Sequence, residues 1–165
     1  MKKALILITV IALFSTLQAK KMTRSLIELG PKAALYIGDD VSFGIGAEAI
    51  FNPVRNVGVR MDLTEIRFGD HTTFFLNHGI SLDGLFHIPM RELQPYVHAG
   101  FGFTVSDAGP VSHSAFSIRA GMGFNFVMNR STKVFGEPGI IITDAGDNTD
   151  VTFRLAFGAR FGILK

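Results

Sequence analysis

The sequence has no cysteine, no tryptophan and only two tyrosines, and charged residues fill just 18% of its 165 positions. Without cysteine there is no disulfide framework, no thiolate metal site and no lipid-bearing N-terminal cysteine. With aromatics other than Phe limited to Tyr36 and Tyr96, any interfacial belt must rest mostly on Phe, of which the sequence has 16. Beyond the N-terminus no apolar run reaches the ~20 residues of a spanning helix. No basic cluster is interleaved with aromatics, so nothing points to a nucleic-acid partner. Yet 47% of the chain is hydrophobic and 18 residues are glycine. That much apolar side chain without long helices has to be carried by strands.

Residues 1–19 read as a secretory signal, with Lys2 and Lys3 ahead of the apolar run Ala4 to Leu17 and a cleavage site after Leu17-Gln18-Ala19. A domain of residues 20–165 follows, long enough for one folding unit. Loss of the signal removes two lysines and no acid, taking the net charge from +2 to zero.

The clearest pattern is at the other end. From Val151 to Ile163 the sequence alternates without a break. Val151, Phe153, Leu155, Phe157, Ala159, Phe161 and Ile163 share one face, and Thr152, Arg154, Ala156, Gly158, Arg160 and Gly162 the other. A period of two is a β-strand. One face is wholly apolar, while the other holds arginines, small residues and glycines. That division suits a barrel with its apolar face in lipid and its small and charged residues in a narrow interior.

The same pattern predicts strands over 24–37, 41–51, 57–67, 74–88, 95–105, 114–126 and 133–143. Pro31 marks the first as ending or bulging there. Ser25, Ile27 and Leu29 are assigned to one face of it, Leu26, Glu28 and Gly30 to the other. Residues 107–113 read as a Gly/Pro/Ser loop, and 133–143 is the least regular strand, with Glu137-Pro138-Gly139 near its middle. The total is eight strands, each near the ~9–11 residues that cross a bilayer at a tilt. An even number closes an antiparallel up-and-down sheet and removes the edges that lipid cannot satisfy. Connections after strands two, four and six are compact, and those after three, five and seven more polar. With the N-terminus in the periplasm, the polar ones face outward.

Pro95-Tyr96-Val97-His98-Ala99-Gly100-Phe101-Gly102, Arg119-Ala120-Gly121-Met122-Gly123-Phe124 and the Arg160-Phe161-Gly162 end resemble the small eight-stranded outer-membrane β-barrel families. These include the transmembrane domain of outer-membrane protein A and the opacity-type surface proteins. The resemblance spans the whole chain after the signal. It implies an all-β transmembrane barrel in the bacterial outer membrane, monomeric, with outer-membrane lipid and the outer-membrane assembly machinery as partners. Such proteins usually end in an aromatic residue that the assembly machinery recognises. Here the last aromatic is Phe161, ahead of Ile163-Leu164-Lys165, which predicts less efficient assembly.

Eight strands enclose an interior just wide enough to be filled by side chains. The inward register assigns to it Glu28, Glu48, Asp62, Asp83 and Glu137 with Arg60, Arg119, Arg154 and Arg160, plus His87 and His98. Both signs occur in similar number, so they should pair into a structural network that plugs the lumen. His71, His78, His87, His98 and His113 have no ligand spacing, and neither a metal nor a cofactor is expected. Ser112-His113-Ser114 invites a lipid-modifying reading. Adjacent strand residues point to opposite faces, however, and the His and Ser two apart of lipid A deacylases are not matched. Asp144, Asp147 and Asp150 lack the bidentate Glu of a calcium loop, and read as an acidic turn.

Three functions are open to such a chain: a structural or surface-interaction barrel without enzymatic activity, an outer-leaflet lipid-modifying enzyme, and a soluble lipocalin-like binder. The first fits best; the third would place the arginines outside.

Overall fold

The computed structural model describes residues 25–68, 75–77, 80–88, 90, 92–108, 111–144 and 149–164. The expected signal at 1–19, His71, His78 and Asp147 lie outside the described residues, as do the side chains of Ser112, His113 and Ser114.

Among the described residues there are strands and turns and no helix. The strands are β1 (Ile27–Ile37), β2 (Val41–Val54), β3 (Val57–Phe68), β4 (Phe75–Asn77), β5 (Ile80–His87), β6 (Leu93–Ala108), β7 (Val111–Val127), β8 (Thr132–Asp144) and β9 (Thr149–Leu164). β4 and β5 both pair with β3, in registers that differ by one residue (Glu65 with Asn77, Asp62 with Ser81), and together make the fourth strand. All pairings are antiparallel. Each strand pairs with the next, and β9 pairs back onto β1, Ile27 with Leu164 and Ile37 with Phe153. The result is a closed eight-stranded up-and-down barrel, the architecture expected from the alternation.

Three local expectations are corrected. Pro31 neither ends β1 nor bulges it: it lies inside the strand and pairs with Ala47 of β2. On its other side, the β1–β9 ladder skips from Leu29–Phe161 to Lys32–Gly158. A single missing N–H interrupts one ladder and leaves the other whole. Pro138 does the same in β8, pairing with Leu155 of β9 while the β7–β8 ladder skips from Gly121–Gly139 to Phe124–Gly136. Second, the 107–113 loop is mostly strand. β6 and β7 pair in register up to Ala108–Val111, leaving only residues 109–110 between them. Third, Ser25 is buried and Leu26 exposed, the reverse of the expected faces. The β1–β9 register shifts at Ile27/Glu28, and a bulge of this kind inverts parity beyond it.

The two wall surfaces differ throughout. Outward lie Phe43, Phe51, Phe86, Phe101, Phe103, Phe116, Phe126, Phe153, Phe157 and Phe161, with many aliphatic residues between them. Phe103 pairs with Phe116 towards one end, and Phe51 and Phe86 lie towards the other. Both tyrosines point inward instead: Tyr36 is buried with Ala34, Phe135, Ile141 and Ala156, and Tyr96 with Ile50 and Leu85. In β9 the inward Arg154, Ala156 and Arg160 are buried while Leu155 and Phe157 are exposed, the parity read from the sequence.

Candidate functional site

The lumen is the candidate site, and it collects all nine charged residues singled out by the sequence. Glu28, Glu48, Arg60, Asp62, Asp83, Arg119, Glu137, Arg154 and Arg160 are each at most 8% exposed. They come from seven strands, because inward positions on every strand of a narrow barrel converge on one axis.

Arg60 and Glu137 form the centre. The Arg60 guanidinium donates to Asp83 Oδ2 through Nε (3.0 Å) and Nη2 (2.5 Å), and to Glu137 Oε2 through Nη1 (2.5 Å). Its Nη1 also lies 3.6 Å from Glu48 Oε2. Glu137 accepts from Arg154 on its other oxygen and from the Tyr96 hydroxyl at 2.7 Å. His98 is wedged here, with Nδ1 3.3 Å from Arg60 Nη2 and Nε2 3.3 Å from Glu137 Oε1. Since Arg60 can only donate, that geometry makes Nδ1 the acceptor and leaves the ring proton on Nε2, towards Glu137.

Two further groups flank this centre. Towards the β3–β4 end, Asp62 Oδ2 takes Lys32 and Arg119, each at 2.8 Å, and Arg119 also donates to Ser81 at 2.8 Å. Towards the β2–β3 turn, Arg160 donates to Glu48 (2.5 Å), Asn125 (2.5 Å) and the Tyr96 oxygen (3.2 Å). Its guanidinium lies over the rings of Phe135 (4.0 Å) and Tyr96 (5.0 Å), two cation–π contacts. At the floor, Glu28 is held by Lys133 at 2.6 Å and by Asn52 at 3.3 Å.

Inward glycines make the room. A methyl at Gly123 would sit 2.4 Å from the Tyr96 ring, and one at Gly100 2.2 Å from the Asp83 carboxylate. The side chains of one strand therefore lie over the backbone of the next.

Sequence reasoning missed Lys32, Tyr96, Asn52 and Lys133 as partners. Lys32 shares the parity of Glu28, a signal masked by reading Pro31 as a break. Tyr96 shares the parity of His98, but tyrosine suggests an interface rather than a lumen.

Chemically, each lumen carboxylate is engaged by cations or their hydrogen bonds. Among the described residues no three His, Cys, Asp or Glu side chains are grouped to hold a metal ion. The arrangement cross-braces the wall and fills its interior.

No protein-family model matches the sequence, and no curated protein matches it. Solved structures do resemble the fold. The N-terminal β-barrel domain of Pseudomonas aeruginosa OprF matches at a TM-score of 0.55 and 12% identity, over 84% of this chain and all of that one. Neisserial surface protein A matches at 0.56 and 12% identity, over 83% of this chain and 96% of that one. A de novo designed transmembrane β-barrel matches at 0.50 and 12%, covering 86% and 99%. With its closed eight-stranded sheet, apolar exterior and charged interior, the chain has the fold of the small eight-stranded outer-membrane β-barrels.

Proposed function

We propose that this protein is a plugged, monomeric barrel of the bacterial outer membrane that acts as a structural or surface-interaction protein and not as an enzyme. One observation carries the reading. The wall exposes Phe, Leu, Ile and Val all round, while its interior is filled by interlocked charges. A charge on the lipid face of such a barrel costs roughly 2–4 kcal/mol at mid-bilayer, and here the charges are inside. In water the exposed apolar area would drive aggregation; in a bilayer it is solvated.

The signal would be cleaved after Ala19, and the assembly machinery would insert the chain with β1 starting from the periplasm. The connections at 38–40, 69–74, 109–110 and 145–148 then face outward. The fit to neighbours of known barrel type supports this placement by fold alone.

Fractionation with mass spectrometry tests it: an outer-membrane protein beginning at Lys20 is expected, and an intact Met1 in the inner membrane refutes it. Planar-bilayer recordings should show little conductance, and stable openings would refute the plug. Phospholipid and lipopolysaccharide profiles should be unchanged by deletion of the protein, and a covalent lipid change would establish the enzyme reading instead.

A further inference from the structure

The outward face of the wall is not uniform. On β9, Ala159 stands between Phe157 and Phe161. Beside it β1 presents Pro31 and Ala33, and β8 presents Val134 and Gly136. Val134 pairs with Ala159, and Gly136 and Ala33 both pair with Phe157. A methyl at Gly136 would meet nothing within 4 Å. The small side chains leave a hollow of about 550 Å³, open to the outside and lined by Pro31, Ala33, Val134, Phe157 and Ala159. Its back is the main chain of Lys32 and Gly158, which pair with one another. The volume lies in the range of ligand sites, ~300–1,000 Å³, and the five side chains carry no polar atom.

The position of the hollow decides what fills it. Left empty, its lining forfeits dispersion contacts. Water there finds none of the polar partners that hold an ordered water. In a bilayer the surrounding medium supplies hydrocarbon. A chain lying in the hollow touches three strands at once, whereas a chain against flat wall is touched on one side.

The head of such a molecule has a partner at the near end of the seam. Asn129 Oδ1 accepts from the backbone N–H groups of Ser131 (2.9 Å) and Thr132 (2.8 Å), and the Ser131 carbonyl accepts from Gly162 N–H (2.7 Å). The β7–β8 turn is thus fixed against β9, and Arg130 at its tip is exposed. Glu92 stands on the other side of the turn, where its carbonyl accepts from Val127 N–H. Four residues separate Arg130 from Val134, roughly 13 Å of strand at about 3.3 Å per residue. At a tilt of ~35–45° that is roughly 10 Å of depth. With Arg130 at the level of the phosphates, the hollow falls within the ~15 Å of hydrocarbon that belongs to one leaflet. A guanidinium and a phosphate match in charge and in geometry.

We infer that the β1–β8–β9 seam holds a resident phospholipid, with one acyl chain in the hollow over Pro31 and Ala159 and its phosphate on Arg130. This rests on the membrane placement proposed above and adds a specific lipid partner to it.

The test folds the full barrel into phosphatidylethanolamine/phosphatidylglycerol vesicles, extracts it into mild detergent and counts retained lipid by native mass spectrometry. One phospholipid per barrel is expected. Ala33→Leu with Ala159→Leu fills the hollow and should lower the retained fraction roughly tenfold. Arg130→Gln should lower it severalfold, and Arg130→Lys less. Ala99→Leu, on the outward face of β6, should retain lipid like the parent. No retained lipid, retention unchanged in the folded double-leucine or Arg130→Gln barrel, or cross-linking of two Ala159→Cys copies in place of lipid retention would each overturn the inference. The sequence has no Trp, so single reporters separate the two levels. With phospholipid carrying brominated acyl chains as a minor part of the vesicles, Phe157→Trp should be quenched more strongly than Phe101→Trp. Equal quenching refutes the lipid site alone, and no quenching at either position refutes the membrane placement.

Discussion

The centre of the lumen and its floor solve the same problem differently. At the centre, Arg60 serves Asp83 and Glu137, and Glu137 in turn serves Arg60, Arg154 and Tyr96. At the floor, Glu28 is met by Lys133 and Asn52, and the Lys133 side chain is 11% exposed. A central charge has left water completely and is held by groups from several strands at once. The floor cation Lys133 keeps some access to solvent, which its loss would extend to Glu28, itself only 3% exposed. Removing one central member strands several others, whereas removing a floor member leaves its partner able to rehydrate.

That contrast can be broken in order of expected size. Glu137→Ala should be the most damaging, because Arg60 and Arg154 both lose a carboxylate in a dry interior. A loss on the order of 3–5 kcal/mol is expected, read from urea midpoints of folding into vesicles, and a midpoint equal to the parent's would show that the centre is not a network. Next comes a charge on the wrong surface. Phe157→Arg places a cation in lipid at a cost of roughly 2–4 kcal/mol, and Phe157→Leu should fold almost as the parent. The cysteine-free background allows a cleaner version: Leu155→Cys and Phe157→Cys should react with a lipid-soluble thiol probe, and Arg154→Cys and Ala156→Cys poorly.

Arg119→Ala sharpens the comparison from inside. Asp62 loses one of two close cations but keeps Lys32 at 2.8 Å, so the loss should fall to about 1–3 kcal/mol. A loss as large as that of Glu137→Ala would mean that Lys32 does not compensate. Lys133→Ala at the floor should cost the least, at most about 1 kcal/mol, and added salt should shrink the difference in the same unfolding assay.

Most of the wall was legible in the sequence because a half-lipid, half-lumen strand must alternate. Residues 116–126 of β7 and 151–163 of β9 carry that signal without a break in the sequence. It failed where one atom or one extra residue broke the rule. Pro31 costs a single N–H on one flank and does not end the strand, and the bulge at Ile27/Glu28 exchanged the faces of Ser25 and Leu26. The inward set of nine charges was readable for the same reason as the wall. Their pairing was not, since Arg60 meets Glu137 across 77 positions of sequence, and only strand register and tilt decide which inward side chains share a level. The inward place of the tyrosines was not legible, because their ring and hydroxyl serve an interface or a packed polar lumen equally well.

The seam between β1 and β9 joins the two ends of the described barrel, Ile27 beside Leu164. No intermediate with fewer strands has its backbone satisfied, since every open sheet presents two rows of unpaired groups to hydrocarbon. Insertion is therefore nearly all-or-none, and the chain must wait until its last strand is available. The pairing of greatest sequence separation is also the one that makes the others tolerable in lipid. Quality control for such a chain is topological: a copy that stops short of β9 presents an open edge, and that edge marks it as unfinished to any protease or chaperone that binds exposed strands.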